Sequence, residues 1–87
     1  MTYTVLLLRD RDGGYVVRVP ALRGCITEGD NLAEALDNAR EAIQAYVESL
    51  ELDGLPAPDD RPVIELYDDE TDVWATRVSV RAETAVA

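Results

Sequence analysis

Residues 10–15, Asp10-Arg11-Asp12-Gly13-Gly14-Tyr15, and residues 24–36, Gly24-Cys25-Ile26-Thr27-Glu28-Gly29-Asp30-Asn31-Leu32-Ala33-Glu34-Ala35-Leu36, decide how this chain folds. The first stretch is a tight turn whose two glycines supply the positive φ angles that a hairpin loop needs. Ahead of it, Thr2–Arg9 (TYTVLLLR) is β-branched, aromatic and apolar with no breaker, which predicts a strand. Behind it, Tyr15–Val19 (YVVRV) returns as the antiparallel partner. Pro20 then lacks a ladder donor and stops that strand or confines it to an edge.

The second stretch holds a short strand, Cys25–Glu28, entered through Gly24 and closed by Gly29-Asp30. Asn31 follows as the predicted N-cap, and Glu34 stands three residues later, where its carboxylate can reach back in a capping box. From there Leu32, Ala35, Leu36, Ala39, Ala42, Ile43, Tyr46, Val47 and Leu50 recur at i, i+3, i+4 and i+7. That series predicts a helix with one apolar stripe turned to a core. Asp53-Gly54 ends it through a left-handed C′ glycine, and Pro56 and Pro58 forbid its continuation.

Further on, Val63–Tyr67 reads as a strand or an extended edge segment, and residues 68–72 as an acidic turn. Val73–Arg81 alternates and is β-branched, so it is the predicted last strand, with a frayed tail over residues 82–87. The expected fold is α+β: one domain spanning residues 1–87, order β-β-β-α-β, an antiparallel sheet with one long helix on one face.

The first strand is apolar on both sides, and this bears on assembly. Val5 and Leu7 point to one face of the sheet, Leu6 and Leu8 to the other. If Arg9 pairs with Tyr15, Val16 joins Leu6 and Leu8, while Val17 and Val19 join the first set. A single helix covers one face only. The other exposes a patch of Leu6, Leu8 and Val16, unless residues 55–67 fold back across it. These three residues are therefore the candidate interface of a dimer or tetramer.

Composition narrows the chemistry. No run of 18 apolar residues exists, so no transmembrane helix is expected. The N-terminus has no basic segment ahead of an apolar one, and Cys25 is the single cysteine; both point to a reducing, cytoplasmic setting. There is no histidine, which removes Ser/His/Asp and Cys/His catalysis and the usual zinc ligand sets. The net charge of −10 is unevenly spread. Residues 1–30 are neutral, whereas residues 31–72 hold thirteen acids against Arg40 and Arg61, a net of −11. Such a chain repels phosphate and attracts a basic partner, so no direct nucleic-acid binding is expected. Glu34, Asp37 and Glu41 on the helix, with Asp68, Asp69 and Glu70 in the acidic turn, are the candidate partner-binding residues.

No constellation rises to a catalytic or metal site, and no cofactor is expected. Asp68-x-Glu70-x-Asp72 starts with calcium-loop spacing, but Val73 replaces the glycine of the sixth position and Ser79 the glutamate of the twelfth. Asp10 and Asp12 sit in an exposed turn beside Arg9 and Arg11, not in the buried setting that paired carboxylates need for general acid–base work. Tyr46 and Trp74 read as core aromatics, with an interface anchor as the alternative for Trp74.

Taken in order, these blocks resemble the N-terminal domain of the HicB family, the antitoxin half of HicAB toxin–antitoxin pairs. Asp10-Arg11-Asp12-Gly13-Gly14-Tyr15 matches the turn, and Val19-Pro20-Ala21-Leu22-Arg23-Gly24-Cys25 the end of the second strand, with Val19 where an aromatic is common. Gly29-Asp30-Asn31 stands for Gly-Asp-Thr, Glu34-Ala35-Leu36 and Ala39-Arg40-Glu41-Ala42 match the helix, and Pro56-Ala57-Pro58 the stop. The resemblance covers residues 3–58. It implies a degraded ribonuclease-H-like domain without catalysis that binds a small basic HicA-type mRNA-cleaving toxin. Members of this family usually carry a further DNA-binding module, and residues 73–87 read as strand and tail, so no appended DNA-binding domain is expected. The alternatives are a solitary homo-oligomeric scaffold without a toxin, and a carboxylate–metal nuclease retained from the ribonuclease H ancestry.

Overall fold

The turn at Asp10–Gly14 closes as its glycines require, but the two have different tasks. The computed structural model, which describes residues 1–62 and 73–80, shows that of these two glycines Gly13 takes a positive φ, 95°, and Gly14 does not. The Gly13 N–H donates to the Asp10 carbonyl at 3.1 Å, and the Asp10 N–H to the Gly14 carbonyl at 2.8 Å. Gly14 is needed for space, since a Cβ there would lie 2.8 Å from the Gly29 carbonyl oxygen. The expectation of two left-handed glycines is thus corrected to one, the other permitting a close backbone approach.

Strands β1 (Thr2–Arg9) and β2 (Tyr15–Arg18) pair antiparallel with Arg9 opposite Tyr15, as the alternation requires. Between β2 and β3 (Ile26–Gly29) the chain folds into a tight knot. The Leu22 N–H donates to the Val19 carbonyl at 3.0 Å, and the Cys25 N–H to the Leu22 carbonyl at 2.9 Å. This knot drives Leu22 into the core at 0% exposure. Strand β3 begins one residue later than the sequence suggested and ends on Gly29.

Helix α1 (Leu32–Leu52) opens with the Asn31 side chain accepting the Glu34 N–H at 2.9 Å, the expected N-cap. It closes on Gly54 at φ 71°, with the Gly54 N–H donating to Glu51 and the Leu55 N–H to Leu50. That pair of bonds is a Schellman motif. Its buried stripe is Ala35, Ala39, Ile43 and Val47. The small residues occupy the end that crosses Gly29, where a Cβ would lie 2.6 Å from Ala35 Cα and 2.9 Å from the Glu34 carbonyl carbon. Gly29 therefore does more than end a strand: it lets the helix start directly over β3.

Strand β4 (Val73–Ser79) pairs antiparallel with β1, giving a four-stranded sheet in the order β3-β2-β1-β4. Helix α1 packs chiefly over β3, on the face that carries Tyr3, Val5, Leu7, Val17 and Val78. The expected β-β-β-α-β order with a helix on one face is what forms. Val63–Tyr67, the acidic turn at 68–72 and the tail lie outside the described residues.

The opposite face corrects the premise of an open aliphatic patch. Leu6 and Leu8 are 4% and 9% exposed within a single chain, and Val16 is half-buried. These leucines are covered without a second copy, so the large exposed area that called for an oligomer is not there. Ile26, 61% exposed and in register with Arg18 and Leu6, is the large aliphatic residue that the described part of this face leaves open.

After the helix, the chain is pinned back to β1. The Tyr3 hydroxyl donates to the Pro58 carbonyl at 2.6 Å. Asp60 accepts both the Thr4 N–H and the Thr4 hydroxyl at 2.7 Å, with Arg77 at 3.8 Å. Burial by itself would raise the Asp60 carboxyl, but the Thr4 and Arg61 hydrogen bonds and the Arg77 charge outweigh it and hold it below the usual value of 3.8. With the folded value depressed, the stabilisation is present above the ordinary carboxylate pKa and is lost as pH falls through the folded one. Asp60→Ala is expected to cost about 1–3 kcal/mol at pH 7, because it orphans the Thr4 N–H on a residue only 5% exposed. Urea titrations of both proteins should show this gap shrinking below about pH 3.8; a gap constant down to pH 2 would refute the assignment.

Candidate partner-binding surface

The helix N-terminus, the hairpin tip and the end of β3 meet at one end of the domain, because Asn31 starts the helix two residues after Gly29. There Asp10, Asp12, Glu28, Asp30 and Glu34, with Asn38, Gly14 and Tyr15, line an open cleft of about 400 Å³. The Asn38 side chain donates to the Glu28 carbonyl at 2.8 Å and ties the helix to β3 on this side. Sequence reasoning set Asp10 and Asp12 aside as turn residues. The fold places them in one cleft with Glu34, more than twenty residues further along the chain.

Across Tyr15 lies a second recess, of about 380 Å³, lined by Leu7, Tyr15, Leu32, Leu36, Trp74 and Thr76. Trp74 meets Tyr15 edge-on, with ring centroids 6.1 Å apart and planes at 63°. The reading of Trp74 as a core residue is corrected: it is 47% exposed, as is Leu32. The reason is the placement of α1. A helix lying chiefly over β3 leaves the Trp74 end of the same face of β4 open, while Val78, further along that face, is 3% exposed. Tyr46 behaves differently; it is half-buried, and its hydroxyl donates to the Arg23 carbonyl at 3.0 Å.

The candidate partner residues do not form one patch. Glu34 belongs to the acidic cleft, whereas Asp37 and Glu41 lie on exposed helix surface, with Asp37 3.3 Å from Arg40 Nη1. That ion pair is open to water and contributes little stability. Asp68, Asp69 and Glu70 lie outside the described residues. The signal that would have found the cleft is the hairpin register, which sets the Asp10–Asp12 turn beside the end of β3.

Cys25 is 7% exposed, and burial pushes its thiol pKa up, which makes it a small core residue and a poor nucleophile. Among the described residues no group of three or more His, Cys, Asp or Glu is placed to hold a metal ion. None of their helices is long and apolar enough to cross a membrane.

What this end of the domain offers is an aromatic recess with an acidic cleft beside it, a surface suited to binding. Comparison with known proteins shows where such a fold occurs. An UPF0150 protein of Thermoplasma acidophilum is 60% identical over 50 residues, which cover 58% of this chain and 72% of the relative. The crystal structure of the N-terminal domain of the Burkholderia pseudomallei antitoxin HicB superposes with a TM-score of 0.77 at 26% identity, over 94% of this chain and all of that one. A chain of the HicA3 and HicB3 toxin–antitoxin complex shares the fold, with a TM-score of 0.67 at 24% identity over 94% of this chain and 100% of its own length. Residues 3–83 match the family described as the HicB-like antitoxin of bacterial toxin–antitoxin systems, and with nearly its whole length inside that match the chain belongs to this family.

Proposed function

We propose that this chain neutralises a small, basic, mRNA-cleaving toxin of the HicA type by binding it in the cytoplasm, without catalysing a reaction. The observation that carries this reading is the family match over residues 3–83. The net charge of −10 supports it, because an acidic surface draws in a cationic protein and repels the RNA that the toxin would hold. The exposed acids Glu34, Asp37 and Glu41, with Asp68, Asp69 and Glu70, supply this attraction in the proposal. Self-association accompanies it, through Ile26 and the half-buried Val16 rather than through Leu6 and Leu8, and sedimentation at micromolar concentration tests it.

A search for a small basic open reading frame beside this one, followed by co-expression of the two proteins, is the direct experiment. The toxin alone should arrest growth, the pair should not, and the two should co-purify. Affinity should fall by roughly tenfold or more between about 50 mM and 500 mM salt, since exposed charges are screened over a few ångströms at the higher value. If no basic partner co-purifies and co-expression relieves no toxicity, the reading fails. A Mg²⁺-dependent nuclease activity of the purified chain, abolished by Asp→Asn changes, would favour the enzymatic alternative.

A further inference from the structure

We infer that the toxin docks at the end of the domain where Tyr15 separates the Trp74 recess from the acidic cleft. One apolar side chain of the toxin enters the recess, and the lysine or arginine side chains flanking it enter the cleft. The inference rests on the antitoxin reading above and adds the surface that performs the binding.

Two independent features of this end point to the same occupant. The first is the exposure of Trp74, the chain's single tryptophan, and of Leu32, each 47% open in a concave site whose floor, Leu7, is 3% exposed. Tryptophan in a partly open pocket is the residue type that most often anchors a protein interface. The second is charge. The ion pairs among the described residues are Arg40–Asp37 and Arg77–Asp60, so none of Asp10, Asp12, Glu28, Asp30 and Glu34 is engaged in one with a described residue. Even with Arg9 and Arg11 of the hairpin set against them, these five acids leave the cleft net negative.

Tyr15 lines both recesses, so the apolar and acidic parts form one continuous surface. An apolar centre with a charged margin is the usual composition of a specific protein interface. The sign of the charge selects among occupants. A second copy of this chain carries the same net −10 and is repelled from the cleft, as is a nucleic acid. A basic protein is attracted.

The test uses the full chain and the HicA-type toxin that co-purifies with it. Labelled with 5-fluorotryptophan, the chain gives one ¹⁹F resonance, that of Trp74, which should shift or broaden on adding toxin. Trp74→Ala should weaken binding by about thirtyfold, the range of an interface hot spot. Leu32→Ala should weaken it by about fivefold at a position already half exposed, which keeps the idea testable if Trp74→Ala folds poorly. Glu34→Lys, inside the cleft, should cost roughly tenfold more affinity than Glu41→Lys, outside it. Circular dichroism melts establish that each variant folds. Toxin binding that leaves the resonance in place, survives both alanine changes, or responds equally to the two charge reversals overturns this surface and leaves the antitoxin reading standing. A wild-type chain that binds no toxin overturns both.

Discussion

Gly29→Ala is expected to lower the melting temperature by about 10 °C or more, although it adds one methyl group at a strand end. The three atoms nearest the added Cβ are all backbone: the Ala35 amide nitrogen, Ala35 Cα at 2.6 Å and the Glu34 carbonyl carbon at 2.9 Å. Backbone cannot rotate away as a side chain tip can, so the first turn of α1 must lift from β3. Overpacking of this kind costs about 1–3 kcal/mol and more where the neighbour cannot yield. For a domain of this size each kcal/mol lowers the melting temperature by about 4–8 °C. The lifted helix start would also separate Glu34 from Glu28 and Asp30, so affinity for the proposed toxin partner should fall along with stability. A Gly29→Ala protein that melts within about 2 °C of wild type would show that the helix is free to shift, contrary to the packing described.

Leu22→Ala should be comparably severe, at about 2–5 kcal/mol. Leu22 lies in what looks like a connecting loop, yet it is 0% exposed and belongs to the same cluster as Val17, Val19, Ile43 and Val47. Its backbone is held at both ends of the knot by the Val19 and Cys25 hydrogen bonds, so the site cannot collapse around the lost side chain. Guanidinium unfolding monitored by circular dichroism measures the loss directly. Leu52→Ala, at the end of α1 and 88% exposed, is the natural comparison and should change stability by less than about 0.5 kcal/mol. Equal effects at the two positions would refute the placement of Leu22.

The local elements were legible because each carries its own chemistry. Asn31 can cap a helix wherever it sits, Gly54 can take a left-handed turn that other residues resist, and Pro20 cannot donate to a ladder. The alternation in β1 and β2, locked by the pairing of Arg9 with Tyr15, sorted Val5, Leu7, Val17 and Val19 onto one face correctly. Charge was legible too, since it is a sum over side chains.

What depends on distance between elements was not legible. Gly14 and Gly29 looked like turn residues, and only the contact between the hairpin, β3 and the first turn of α1 reveals them as spacers. The burial of Leu6 and Leu8 depends on what the rest of the chain lays over them, which periodicity within a strand does not encode. Trp74 has the pattern of a core residue in β4, and it is half exposed because α1 lies over β3 instead. The sequence by itself determined the order of elements, the helix caps and the acidic balance, all of which follow from neighbours along the chain. Tertiary structure alone decided that Asp10, Asp12, Glu28, Asp30 and Glu34 share one cleft beside an open tryptophan, because convergence is set by how a helix crosses a sheet.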